Sequence, residues 1–156
     1  MDSILAQTEA DWRLVICDDG SKDATPEIVE GYVKRYPQKI KFCRNAVNLG
    51  STKNFLTMLA GTESEYVMFA DQDDIWHQDK LARTKHRIKQ LEQRYGITVP
   101  ALVCTDAAVV DEEAKLLQPS FTRVQHFDMK QRRLPHLLME NLCIGCTMMI
   151  FRSVRS

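Results

Sequence analysis

Asp71 and Asp73 flank a single residue in the run Asp71-Gln72-Asp73-Asp74-Ile75-Trp76, which follows the apolar stretch from Glu65 to Ala70, EYVMFA. Two residues apart in an extended segment, their side chains project to the same side. Carboxylates placed that way repel one another unless a cation lies between them. Magnesium or manganese fills that role, taking one or two carboxylates and completing its shell with phosphate oxygens and water. D-x-D at a strand end therefore points to a metal–diphosphate site. The plainer reading is a solvated acidic turn ahead of a helix, where the helix dipole favours carboxylates. Asp74 either joins the site indirectly or caps the turn.

A second acidic group, Asp18-Asp19-Gly20-Ser21, follows the strand-like run Trp12 to Cys17, WRLVIC. One of its carboxylates is suited to accept a hydrogen bond from a nucleobase N–H or a ribose hydroxyl. Asp and Gly are also ordinary turn residues, and Ser21 or Asp23 is placed to organise the start of a helix. Between the two groups lies Asn48-Leu49-Gly50-Ser51-Thr52-Lys53-Asn54. A glycine-containing loop opening a helix approaches phosphate or base, and Lys53 there meets negative charge. The loop has neither the G-x-x-x-x-G-K-S/T spacing of a P-loop nor the G-x-G-x-x-G of a dinucleotide fold, which removes the usual support for ATPase and dehydrogenase readings.

The elements that must carry these residues alternate between apolar runs and helical patterns, the mark of an α/β domain with a mostly parallel sheet flanked by helices. In such a sheet ligands bind beyond the carboxyl ends of the strands, so both acidic groups are expected on one rim. A helix is expected after Asp23, with Thr25 as cap, Pro26 at its first position, Pro37 as its stop, and Ile28, Val29, Tyr32, Val33 and Tyr36 on one face. Lys39 to Arg44 alternates like a strand. Ser51 is placed to cap a second helix that ends at Gly61. A long helix with Leu81, Ile88, Leu91 and Tyr95 on one face closes at Gly96. Ala101 to Val110, which contains Asp106, reads as a strand, Leu134 to Leu142 as a short helix and Thr147 to Phe151 as a last strand. No repeat or linker interrupts residues 1–156, so a single domain is expected.

The 156 residues hold 21 acidic and 21 basic side chains, and this balance gives no support to nucleic-acid binding. No apolar run approaches the roughly 20 residues of a membrane span, and the first residues lack the pattern of a signal peptide. Five cysteines (Cys17, Cys43, Cys104, Cys143 and Cys146) are expected to be reduced, as in a cytoplasmic protein. Cys143-Ile144-Gly145-Cys146 has C-x-x-C spacing without a second pair or a suitably placed histidine, so it reads as strand packing. His77, His86, His126 and His136 show no paired spacing and read as surface or structural residues.

In combination these segments resemble family-2 glycosyltransferases of the GT-A fold. The resemblance rests on I-C-D-D-G-S-K-D, then N-x-x-N-L-G-S-x-x-N-F, then Y-V-M-F-A-D-Q-D-D-I-W-x-x-D-K-L, with V-C-T-D-A-A-V-V-D-E-E-A-K-L-L and G-C-T-M-M-I-F-R further on. It covers nearly the whole chain in the family's order and is closest to rhamnosyltransferase-like bacterial members. The stretch Q-D-D-I-W with Asp79, Lys80 and Leu81 is its specific part.

The resemblance implies that Asp18 or Asp19 binds the base or ribose of a nucleoside diphosphate sugar, and that Asn48, Gly50 and Lys53 line the nucleotide pocket. It makes Asp71 and Asp73 the D-x-D pair on a magnesium or manganese ion, with Asp73 the direct ligand, and sets Asp106 beside the donor sugar. Trp76 packs beneath the site or stacks on sugar. The implied reaction is inverting transfer of a sugar to an acceptor hydroxyl on a saccharide or lipid-linked saccharide, in bacterial surface polysaccharide synthesis. The implied location is the cytoplasm, with docking at the inner face of the membrane left open. No residue is assigned as the catalytic base; neither Asp106 nor Asp111 is singled out by its surroundings. Relative to the family pattern the chain starts inside the helix Ser3-Ile4-Leu5-Ala6-Gln7-Thr8 and stops before the motif that holds the base. A first strand missing from the sheet, incompleteness at both ends and self-association through exposed strand edges are therefore expected. A nucleotidyltransferase and a non-catalytic fragment binding a nucleotide or a partner are the alternatives.

Overall fold

A computed structural model of the chain describes residues 1–124 and the backbone of residues 149–152. It divides into two units, one formed by Met1–Thr8 with Glu65–Ser156 and the other by Glu9–Ser64.

The Glu9–Ser64 unit is a β–α–β–α run: β1 (Leu14–Asp18), α2 (Thr25–Arg35), β2 (Ile40–Arg44) and α3 (Ser51–Ala60), with α1 (Asp2–Leu5) preceding it in the chain. β1 and β2 are parallel, with Leu14 opposite Ile40 and Asp18 opposite Arg44. The helix between them makes that parallel return possible. Asp23 Oδ1 accepts the Thr25 amide at 3.0 Å in the turn before α2. Thr25 is the first residue of the helix, and Ala24, at the cap position, offers no side-chain cap, so the expected Thr25 cap is not formed. Glu27 in its first turn and Lys34 and Arg35 in its last complement the helix dipole. Of the expected apolar face Val29 is buried, whereas Ile28 and Tyr36 are exposed. Ile40 on β2 is almost wholly buried, at 1% exposure.

The other unit contains β3 (Tyr66–Met68), α4 (Lys80–Tyr95), β4 (Leu102–Cys104), β5 (Val109–Val110), β6 (Leu116–Gln118), α5 (Phe121–Val124) and β7 (Met149–Arg152). β7 lies between β3 and β4 and runs antiparallel to both. β3 and β4 therefore point the same way, as a crossover through α4 requires. The expected strand from Ala101 to Val110 is divided: β4 ends at Cys104 and β5 begins at Val109, pairing with β6 in a small antiparallel ribbon. α4 ends at Gly96, whose φ of 91° only glycine adopts without strain. Its buried stripe is Thr84, Ile88 and Glu92, four residues apart each time, with Glu92 accepting the Tyr66 hydroxyl at 2.6 Å.

Cys17 and Cys43 are free thiols. Cys104 is disulfide-bonded, so the expectation of reduced thiols throughout fails there; apolar surroundings do not decide pairing, which depends on the approach of two backbones. The expected helix from Leu134 to Leu142, the C-x-x-C pair, His126 and His136 lie outside the described residues. Among the described residues no helix is long and apolar enough to cross a membrane.

Candidate functional site

The end of β1 feeds directly into the first acidic group, and its two carboxylates take different partners. Asp18, with a side chain only 3% exposed, accepts the Ser21 amide on Oδ1 at 3.1 Å and faces Arg44 Nε through Oδ2 at 2.9 Å. The ion pair follows from the sheet register, which sets Asp18 opposite Arg44. Its angle is poor for a hydrogen bond, and Oδ2 has no hydrogen-bond donor among the described residues. The Ser21 hydroxyl, then the Ser21 amide and the Arg44 charge, hold the Asp18 carboxyl below the usual range despite burial.

Asp19 reaches across the loop. Its Oδ1 accepts the Leu49 amide and Asn45 Nδ2, both at 2.8 Å, and its Oδ2 accepts the Gly50 amide at 2.7 Å. The Leu49 amide is the main cause of its lowered proton affinity, followed by Asn45. Three of about four acceptor positions on this carboxylate are thus occupied, which leaves one on Oδ2. Asn48 Nδ2 donates to the Asp19 carbonyl at 2.7 Å, while Asn48 Oδ1 accepts the Gly50 amide at 3.2 Å. Gly50 itself has φ of 77°, and a Cβ there would meet nothing within 4 Å. The chain is thus bent and open at that point. Lys53 is exposed in the first turn of α3, which has no acidic residue and no side-chain cap. A cation is disfavoured there by the helix dipole, so it is poised for an added anion.

Two residues that carried no assigned role complete this loop. Asn45 Nδ2 also donates to Asn54 Oδ1 at 3.0 Å, and Asn54 Nδ2 donates to the Cys17 carbonyl at 2.9 Å. This chain of amides ties the end of β1, the end of β2 and the start of α3 together. Both asparagines stand in the N-x-x-N-L-G-S-x-x-N-F segment, so the signal was present in the sequence without a role attached.

The second acidic group lies in the other unit, in the turn between β3 and α4. Asp71 is half-buried, and Asp73 and Asp74 are exposed. Burial pushes the Asp71 carboxyl up, and the charges of Asp74 and Asp73 push it further. Trp76 is buried, and its indole N–H finds no hydrogen-bond acceptor among the described residues. The Lys80 ammonium lies 5.0 Å from the Trp76 ring centre. Burial draws its proton affinity down, while the Asp74 carboxylate works in the opposite direction. His77 is exposed, its Nδ1 2.7 Å from Asp79 Oδ1.

Among the described residues no three His, Cys, Asp or Glu side chains converge in a metal-holding group. The residues nevertheless fit a magnesium or manganese ion in one definite respect. Burial first, and then the charges of Asp74 and Asp73, work against the ionised form of Asp71, and a cation beside it would favour that form. A magnesium site needs only one or two carboxylates when phosphate oxygens complete it.

Asp106 stands apart from the strand it was assigned to, in the loop after β4. Its Oδ1 accepts the amides of Ala107 at 2.8 Å and Thr122 at 3.0 Å, and its Oδ2 accepts the Ser120 hydroxyl at 2.5 Å. Burial raises its proton affinity, but the Ser120, Thr122 and Ala107 bonds outweigh that and leave it lowered. Asp111 likewise organises a turn, accepting the amides of Glu113 and Lys115.

The arrangement corresponds to a known family. The family described as glycosyl transferase family 2 matches residues 1–155. An uncharacterized protein of Mycobacterium tuberculosis is 34% identical over 117 residues, which are 72% of this chain and 33% of that protein. The dTDP-rhamnosyl transferase RfbG of Shigella flexneri is 36% identical over 83 residues, 51% of this chain and 29% of that enzyme. The UDP-Glc:alpha-D-GlcNAc-diphosphoundecaprenol beta-1,3-glucosyltransferase WfgD of Escherichia coli is 35% identical over 79 residues, 51% of this chain and 30% of that enzyme. The matched segment thus spans about a third of the length of these relatives. On these grounds the chain belongs to glycosyl transferase family 2 and takes that family's GT-A fold.

Proposed function

We propose that this chain carries the donor-binding part of a metal-dependent, inverting glycosyltransferase. It serves transfer of a sugar from a nucleoside diphosphate to an acceptor hydroxyl, in bacterial surface polysaccharide synthesis. The observation that carries the proposal is the placement of Asp71, Asp73 and Asp74 in one turn after β3, in a chain that matches glycosyl transferase family 2 over residues 1–155. Family membership favours sugar transfer over nucleotidyl transfer.

In this reading Asp73 and Asp71 hold the magnesium or manganese ion. When bound, that ion supplies positive charge against the departing diphosphate. Asp19 sets the shape of the Asn45–Gly50 loop, and its remaining acceptor position on Oδ2 is offered to a ribose hydroxyl or base N–H. The open backbone at Gly50 allows close approach, and Lys53 meets phosphate charge at the start of α3. Asp18, locked to Ser21 and Arg44, fixes the end of β1 and acts on the nucleoside through that end. Asp106 anchors the loop beside the donor sugar by capping α5. Asp106 and Asp111 both accept turn amides, and the base that takes the acceptor proton is left unassigned.

The relatives' names extend the proposal to the acceptor. WfgD acts on a diphosphoundecaprenol-linked sugar, and a similar lipid-linked saccharide here is met at the inner face of the membrane, from the cytoplasm. Titrating the chain with UDP, dTDP and GDP, with and without manganese, tests the donor site beside an Asp71→Ala/Asp73→Ala variant. Manganese-dependent binding of one nucleotide, lost in the variant, is expected. Binding that ignores both manganese and the substitutions would reject the metal–diphosphate role.

A further inference from the structure

Gln7 is buried, at 8% exposure, and lies about seventy positions away in sequence from the residues it holds. Its Nε2 donates to the carbonyl of His77 at 2.7 Å and to that of Ser3 at 3.0 Å, while its Oε1 accepts the amide of Leu81 at 2.9 Å. The neighbouring Thr8 amide donates to the Gln78 carbonyl at 2.9 Å. Leu81 is the second residue of α4, where an amide has no partner within the helix. Asp79, at the cap position, makes no side-chain cap. It turns to His77 and lies 3.6 Å from Arg83. One amide side chain thus caps α4 from a distance and grips the segment that joins the acidic turn to that helix. Lys80 sits between the two gripped positions, against Trp76 and under the charge of Asp74.

We infer that Gln7 is a positioning residue for the diphosphate–metal site. By fixing His77 and Leu81 it sets where Lys80 and the acidic turn stand, and so tunes cation and diphosphate affinity without touching either. This rests on the metal–diphosphate reading of Asp71 and Asp73. Groups bonded directly to a metal ligand are worth about tenfold or more in metal affinity. Gln7, which acts one step further out through the His77 and Leu81 backbone, is expected at the lower end of that range.

The test measures manganese binding in the presence of inorganic pyrophosphate for the wild-type chain, Gln7→Ala, Gln7→Glu and Ile88→Val. Gln7→Glu keeps an acceptor for Leu81 but has no donor for His77, and it serves if Gln7→Ala fails to fold. Ile88→Val loosens the same helix from its buried side and controls for general destabilisation. The expected result is weaker binding by about tenfold in the Gln7 variants, faster hydrogen exchange at the Leu81 amide in Gln7→Ala, and unchanged affinity in Ile88→Val. Equal affinity in wild type and Gln7 variants overturns the inference, as does an equal loss in Ile88→Val. Silence of the wild-type chain itself rejects the metal–diphosphate reading, and the inference falls with it.

Discussion

At the scale of single residues, the aspartates of this chain work in opposite directions. Asp71 has its proton affinity raised by burial and by Asp74 and Asp73, so its ionised form is a burden on the folded state. The burden is absent below the ordinary carboxylate range and grows as pH rises through the raised value, whereas metal binding needs the ionised form. Replacing Asp71 with Asn should therefore raise the metal-free melting temperature and abolish the stabilisation given by manganese. Thermal unfolding with and without the ion checks both, and a variant that melts lower without metal would contradict the repulsion argument. Asp18 and Asp19 behave the other way, since hydrogen bonds to the ionised form lower their affinities. The stability they confer is present above about pH 4 and is lost as pH falls through the lowered values. The stability deficit of Asp19→Asn should accordingly be large at neutral pH and shrink on acidification. Denaturant unfolding across that range reads it, and a pH-independent deficit would show that the loop does not depend on the charge.

Among the elements, α4 links burial to placement of the acidic turn. Its stripe of Thr84, Ile88 and Glu92 is buried, with Ile88 at 0% exposure. Ile88→Ala should cost about 2–5 kcal/mol, the range for a fully buried aliphatic side chain. Tyr95, 56% exposed on the same helix, should tolerate Ala within about 0.5 kcal/mol. Chemical denaturation of the two variants distinguishes a helix held by one narrow stripe from one held by the broader face that Leu81, Leu91 and Tyr95 outline. Similar costs at both positions would favour the broader face.

For the molecule as a whole, the residues proposed for the nucleoside lie in the Glu9–Ser64 unit and the acids proposed for the metal lie in the other. Manganese held partly by the diphosphate of the donor makes nucleotide and metal binding interdependent, so each ligand should tighten the other by the same factor. Saturating ligand at about a hundred times its dissociation constant adds about 2.7 kcal/mol of stability. UDP and manganese together, or whichever nucleotide binds, should raise the melting temperature by more than the sum of their separate effects. Strictly additive shifts would mean that the metal does not meet the diphosphate of the nucleotide.

Residue type and short spacing singled out the Asp18–Asp19 and Asp71–Asp73 groups and the glycine-containing loop between them as candidates, because turn chemistry and like-charge repulsion act between near neighbours. The alternation of strands and helices was legible for the same local reason. Tertiary structure decided the rest. It committed most of the Asp19 carboxylate to the amides of Leu49 and Gly50 and the side chain of Asn45. It moved Asp106 into a loop where it caps α5, and it inserted β7 between β3 and β4. It also brought Gln7 onto His77 and Leu81 across a separation of 70 and 74 residues. Periodicity shows which residues share a face, but not which part of that face is covered; a hydrogen bond depends on where two distant backbones meet, and no local spacing encodes that.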